Sequence, residues 1–162
     1  MIRRKRPPAP IERTASGYVI RLDDAERDLL IRLLGELTAL VTGPADVPAM
    51  RRMFPPAYHL ATDEESETEY QRLMHEDLVA SRLEALTTVT AALRDHSVLD
   101  EGGLGALMQS LNALRLVLGT LLDVDEEHDL DDVSPDDPMV GEHHLYGYLS
   151  YLLDAAVRAA SS

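Results

Sequence analysis

The fold follows from one stretch, LGALMQSLNALRLVLGTLL, which runs from Leu104 to Leu122. At about 100° per residue, five of its large apolar side chains lie within an arc about 80° wide, which suits a helix at the centre of a core. One charged side chain, Arg115, projects about 20° from the middle of this stripe. We therefore expect a central helix with one inner arginine that needs a polar partner. The stripe residues are Leu104, Met108, Leu111, Leu118 and Leu122.

Two interpretations of Arg115 remain open from the sequence. In the structural one, which we favour, Arg115 is buried in an ion pair with Glu76 or Asp77 of the preceding helix, because those acids lie beside apolar residues of that helix. In the functional one, Arg115 lies at the floor of a cleft and binds an acidic ligand or partner segment. The two interpretations predict different effects of Arg115→Met on stability.

Length and composition limit the class of protein. With 162 residues the chain is long enough for one domain with a real core. It has no cysteine, which excludes disulfides, thiolate metal sites and thiol redox chemistry. No segment has about 18 uninterrupted apolar residues, so we expect no membrane span. A cytoplasmic, reducing compartment fits these features best.

Charge is distributed unevenly. The net charge is −14, and all 29 acids follow residue 8. We expect a disordered basic tail over residues 1–10 and a single helical domain over residues 11–160. An acidic body repels nucleic acid, so only the tail is a candidate for phosphate contacts. Those tail residues are Arg3, Arg4, Lys5 and Arg6.

Start and stop signals divide the chain into elements. Two short extended runs around Gly17 predict a β-hairpin, which must lean on the helices to be stable. Asp23 with Glu26 starts the first helix, and Gly43 ends it. Ser66 with Glu69 forms a capping box for the second helix, which then runs to about Asp95.

The second half of the chain continues the pattern. Asp100 is the expected N-cap of the central helix, and Asp137 followed by Pro138 starts the last one. An acidic loop, Asp123 to Asp137, separates these two helices. The sequence predicts an all-α protein, a bundle of four main helices with a small N-terminal β-hairpin and an acidic loop before the last helix.

No motif indicates an enzyme, a metal or a cofactor. His75-Glu76 begins like a zinc-protease motif, but Val79 stands where the second histidine is needed. The acidic loop resembles a calcium loop, yet it lacks the turn glycine and the bidentate acid, and we favour a solvated loop. Adjacent His143 and His144 cannot face one ligand from a regular helix, so we expect a solvated first turn. Phosphate-binding loops and nucleophile elbows are missing from the sequence.

Four runs carry a resemblance by their order and spacing: RRMFPPAY from Arg51, LMHEDLVASRLEAL from Leu73, LNALRLVLGTLLDV from Leu111 and LYGYLSYLL from Leu145. Together they resemble a family of actinobacterial helical proteins labelled only as a domain of unknown function. The similarity covers about Tyr18 to Arg158 and is strongest at N-x-L-R-L-x-L-G, which includes Asn112 and Arg115. It implies an intracellular protein, often encoded beside the Clp protease adaptor, with some members regarded as regulators of stress-response transcription. A cysteine redox switch proposed in that setting cannot operate in a chain without cysteine.

Two function classes follow. The first is a non-enzymatic regulatory or adaptor protein that binds an unidentified protein through an apolar helix face and its arginines, with a homo-oligomer left open. The second is a nucleic-acid-associated transcriptional regulator anchored by the tail, which we do not favour because four charges support only weak, salt-sensitive binding. Arg51 and Arg52 are either a docking patch for an acidic partner or solvated loop residues. The binding candidates are Arg115, Asn112, Arg51, Arg52, Glu76 and Asp77.

Overall fold

The computed structural model describes residues 7–43, 64–122 and 140–162. Within these residues four helices carry most of the chain and a two-stranded hairpin precedes them, which confirms the predicted helical bundle. The acidic loop predicted for 123–137 lies outside the described residues. The strands are β1 (Ile11–Thr14) and β2 (Gly17–Ile20), and the helices are α1 (Asp24–Val41), α2 (Glu64–Asp95), α3 (Glu101–Leu122) and α4 (Val140–Ala160).

The hairpin is antiparallel, with Ile11 opposite Ile20, and it depends on Gly17. Gly17 has φ 135°, and a Cβ at this position would lie 2.5 Å from the carbonyl oxygen of Leu99. Tyr18 and Leu99 exchange two backbone hydrogen bonds of 2.8 Å, so the α2–α3 connection joins β2 through one antiparallel bridge. The Tyr18 hydroxyl also donates to Glu101, and this hydrogen bond raises the pKa of Tyr18. The hairpin thus leans on the helices, as expected.

Two of the predicted helix starts are confirmed and one is wrong. Asp23 caps α1 by accepting a hydrogen bond of 2.8 Å from the Glu26 amide. Asp100 caps α3 by accepting one of 2.6 Å from the Gly103 amide. In contrast, α2 begins at Glu64, so Ser66 lies inside the helix and is not its cap. Acids near a helix N-terminus stabilise it, which is consistent with a start before the predicted capping box.

The central position of α3 is confirmed by its neighbours. It contacts α1, α2, α4 and β2, and its stripe residues Leu104 and Leu111 are fully buried. Met108 and Leu118 are partly buried against the same core. Small residues on another side of α3, Ser110 and Ala113, are also buried, because three helices surround this one.

A buried arginine joins the hairpin to two helices. Arg27 is 8% exposed and donates to three backbone carbonyl oxygens, those of Ile20 at 2.6 Å, Leu22 at 3.2 Å and Leu93 at 3.1 Å. The Leu93 carbonyl lies in the last turn of α2, where carbonyls lack helical partners and attract cations.

His96 follows α2 with φ 53°, and the Ser97 amide closes the helix end on the Ala92 carbonyl at 3.1 Å.

Candidate functional site

Arg115 lies between α3 and α4, and its partners are neutral. Its Nε–H donates to the Ser150 hydroxyl at 2.9 Å. One terminal nitrogen contacts Asn112 Oδ1 at 3.5 Å, and the other contacts the Tyr146 hydroxyl at 3.4 Å. The guanidinium carbon lies 5.3 Å from the centroid of the Tyr146 ring, a cation–π distance. We call these four residues the Arg115 cluster.

The predicted pairing of Arg115 with Glu76 or Asp77 is wrong. Both acids are exposed on α2, and neither forms an ion pair or hydrogen bond with Arg115. Their half of α2 is poorly covered, because the neighbouring apolar residues are exposed as well: Leu73 49%, Met74 41% and Leu78 39%. Arg115 is half-buried instead, with Ser150 and Tyr146 of α4 and Asn112 of α3 as its partners.

Only some of the other predicted site residues lie in the described part of the chain. Asn112 lies beside Arg115 as part of the same cluster. His143 is buried, so the expectation of a solvated first turn of α4 is wrong for this residue, whereas His144 is exposed. Within the described ranges, no group of three His, Cys, Asp or Glu residues could hold a metal ion. Arg51, Arg52 and the tail residues Arg3, Arg4, Lys5 and Arg6 lie outside the described residues.

An apolar groove of about 320 Å³ lies where α1, α3 and α4 meet. Of the nine lining residues in the described part of the chain, eight are leucine or valine and one, Glu36, is charged. Leu37, Leu114 and Leu149 are buried, whereas Leu33, Leu40, Val117, Leu118 and Leu145 are only partly covered. We call this surface the α1–α3–α4 groove. From α1 it is lined by Leu33, Glu36, Leu37 and Leu40, from α3 by Leu114, Val117 and Leu118, and from α4 by Leu145 and Leu149.

A larger and more polar cavity of about 500 Å³ lies between the Pro7–Arg13 segment and α4. Its charged residues have partners within the chain. Arg158 pairs with Asp154 at 3.0 Å, and Arg13 donates to the Ser162 carbonyl. Because these groups already have partners, we regard this cavity as a weaker candidate for a binding site than the groove or the Arg115 cluster.

Three features of the structure were not predicted from the sequence, namely the buried Arg27, the partly buried Arg82 and the groove. Arg27 occupies the heptad-like series 27, 30, 34, 37 and 41, so its position in the α1 stripe was a readable signal. Arg82 occupies the equivalent place between Val79 and Leu86 of α2, and burial lowers its pKa. The Nε of Arg82 is inaccessible and has no hydrogen-bond partner among the described residues. The groove gave no signal, because its leucines follow the same periodicity as core residues.

A family model named Domain of unknown function (DUF2017) matches residues 8–160. The chain belongs to the DUF2017 family. The DUF2017 match covers the hairpin and all four helices, and therefore both the groove and the Arg115 cluster. Searches of curated proteins and of solved structures find no match to this DUF2017 chain. None of the helices in the described part of the chain is long and apolar enough to cross a membrane.

Proposed function

We propose that this chain is a non-enzymatic regulatory or adaptor protein of the cytoplasm that acts by binding another protein in the α1–α3–α4 groove. The observation that carries the proposal is the lining, with eight apolar residues out of nine. Leucine and valine side chains supply no acid, base or nucleophile, so such a surface binds and does not react. An actinobacterial source and a role in regulation, which the sequence resemblance implies, belong to this proposal.

The shape of the groove fits an amphipathic helix. Leu33 and Leu40 lie seven residues apart on α1, which is two helical turns or about 10 Å. A partner helix with apolar residues at i, i+3, i+4 and i+7 presents a stripe of that length. Each leucine-sized anchor contributes about 1.5–3 kcal/mol on burial, and association itself is costly. Three such anchors alone therefore support only weak binding, and a tighter complex needs further contacts.

Charge also favours a particular partner. Glu36 is the one charged lining residue of the groove, and the chain as a whole carries −14. A partner helix with a lysine or arginine beside its apolar stripe gains attraction on approach and a contact to Glu36. An acidic helix is repelled by the same field.

The experiment is an affinity capture from the source organism with three baits, namely the wild type, Leu145→Asp and Val157→Asp. Leu145 lines the groove, whereas Val157 is 48% exposed and lies elsewhere on α4. We expect the wild type and Val157→Asp to capture one protein that Leu145→Asp does not capture. The purified form of that protein should bind the wild type and Val157→Asp more tightly than it binds Leu145→Asp. If captured proteins are the same for all three folded baits, the groove is not the binding surface.

A further inference from the structure

We propose that the Arg115 cluster is a binding site for a carboxylate, separate from the α1–α3–α4 groove and independent of the function proposed for that groove. One guanidinium group is held in a fixed orientation there, and its terminal nitrogens are only weakly engaged.

The orientation of Arg115 is fixed through its Nε. Ser150 accepts the Nε–H hydrogen bond at 2.9 Å, and its own hydroxyl donates to the Tyr146 carbonyl at 2.9 Å. The Tyr146 ring lies under the guanidinium, with 5.3 Å between the guanidinium carbon and the ring centroid. A hydrogen bond along one edge and an aromatic ring on one face hold the group in a defined plane.

The two terminal nitrogens of Arg115 are weakly engaged. Their contacts to Asn112 and to the Tyr146 hydroxyl measure 3.5 Å and 3.4 Å. Good N–H···O hydrogen bonds measure about 2.7–3.2 Å. A guanidinium has five N–H donors, so most of the donors on the terminal nitrogens lack a strong acceptor among the described residues. These nitrogens form the fork that a carboxylate fills with two parallel hydrogen bonds.

Other arginines of the same chain show that this arrangement is not the general one. Arg21 pairs with Glu12 at 2.7 Å, Arg158 with Asp154 at 3.0 Å and Arg72 with Glu69 at 3.9 Å. Those arginines are solvent-exposed, where an ion pair adds little to stability. Arg115 is half-buried, where a partner matters more, yet no carboxylate of the described residues contacts it. The chain has 29 acids and 15 bases, so carboxylates are abundant.

Charge selects the ligand class. The net charge of −14 repels anions in general and repels a doubly charged phosphate more strongly than a singly charged carboxylate. The planar fork of Arg115 also matches the planar carboxylate. We therefore assign the site to a carboxylate, which can belong to a small free acid or to an acidic residue or C-terminus of a peptide.

The test is a titration of the isotopically labelled full chain, followed by nuclear magnetic resonance of the Arg115 side-chain Nε–H and the Asn112 amide. The probes are acetate for a free acid, N-acetyl-glutamate amide for a peptide side chain and N-acetyl-alanine for a peptide C-terminus. Inorganic phosphate and chloride are added at matched ionic strength. We expect saturable shifts with the carboxylates, at least fivefold weaker binding of phosphate and no saturation with chloride.

Three variants make the outcome specific. Arg115→Gln should weaken carboxylate binding at least tenfold, and Arg115→Lys should weaken it several-fold because an ammonium group keeps the charge but lacks the fork. Arg158→Gln removes an exposed, paired arginine and should leave binding unchanged. Linear shifts that chloride reproduces, tighter binding of phosphate, or equal binding by Arg115→Lys and the wild type would each overturn the assignment. If Arg115→Gln fails to fold, Arg115→Lys still decides.

Discussion

Arg115 donates its Nε–H to the Ser150 hydroxyl at 2.9 Å, so the charged residue in the α3 stripe is held by a neutral side chain of α4. Because this partner is neutral, removal of Arg115 should lower the free energy of unfolding less than removal of a residue in a buried ion pair would. A buried ion pair would leave a stranded carboxylate when the arginine is removed, at a cost of about 3–5 kcal/mol. Here no carboxylate of the described residues depends on Arg115.

The first prediction concerns Arg115→Met. The variant loses one hydrogen bond and one cation–π contact, each of which contributes about 1 kcal/mol. We expect the free energy of unfolding to fall by less than about 2 kcal/mol, measured by urea denaturation. A loss of 3 kcal/mol or more, the value expected for a buried ion pair, would show that Arg115 has a charged partner after all.

The second prediction concerns Arg27→Met. Three carbonyls lose their donor, those of Ile20, Leu22 and Leu93. Buried unsatisfied acceptors cost about 1 kcal/mol or more each, so we expect a loss of about 3 kcal/mol or more by urea denaturation. The comparison with Arg115→Met serves as the control, because the substitution is the same and the site is less buried. Equal losses in the two variants would contradict the role given to Arg27.

The third prediction uses two glycines. Gly17→Ala should destabilise the fold by about 2 kcal/mol or more, because φ is 135° and the new Cβ would meet the Leu99 carbonyl at 2.5 Å. Gly35→Ala is the control, since nothing lies within 4 Å of a Cβ there, inside α1. We expect it to stabilise the protein by about 0.5–1 kcal/mol. Thermal unfolding of both variants checks the pair, and a tolerated Gly17→Ala would contradict the hairpin geometry.

The fourth prediction concerns pH. Burial raises the pKa of Tyr148 from 10.0 to about 12, and the nearby negative charge of Glu26 adds to the rise. Because the folded pKa is the higher one, the contribution of the neutral phenol is complete below about pH 10 and is lost as the pH rises towards 12. Urea midpoints between pH 8 and pH 12 should therefore fall less steeply in Tyr148→Phe. For comparison, Tyr151→Phe removes a phenol that is 56% exposed and whose charge makes only the smallest contribution to that rise, so its curve should lie close to the wild-type curve.

Among the described residues no hydrogen bond of normal geometry reaches the Tyr148 hydroxyl, and Glu26 lies only close enough to raise its pKa, so its removal should cost little near neutral pH. Curves for Tyr148→Phe and the wild type that stay parallel up to pH 12 would show that Tyr148 does not titrate with the fold. A large loss at pH 7 would show that the hydroxyl has a partner.

Much of the fold could be predicted from local signals. Asp23 and Asp100 identified two helix starts because capping is a local interaction between a side chain and the next turn. Gly17 identified the hairpin turn for the same kind of reason. The start of α2 was misjudged because more than one residue before the apolar run could begin the helix, and only tertiary structure selects among them.

The candidate site could be predicted only in part. Periodicity placed Arg115 on an inner face, but it does not say which neighbouring helix that face meets, and the meeting helix is α4 rather than α2. The groove escaped notice because Leu33 and Leu118 have the spacing of core residues. Whether such a leucine is fully covered depends on how closely α1 and α4 approach each other. The sequence of either helix alone does not give that distance.

The central claim is that the α1–α3–α4 groove binds an amphipathic helix with a basic edge. The most direct measurement selects helical peptides from a displayed library against the whole chain and then compares their Kd for the wild type, Leu145→Asp and Val157→Asp. Glu36→Gln is added to test the charge preference.

We expect enriched peptides with apolar residues at i, i+3, i+4 and i+7 and an excess of lysine or arginine. Binding should weaken at least tenfold in Leu145→Asp, weaken less in Glu36→Gln and stay unchanged in Val157→Asp. If no helical peptide is enriched, or if the enriched peptides bind Leu145→Asp as tightly as the wild type, the groove is not a docking surface and the proposed function is wrong.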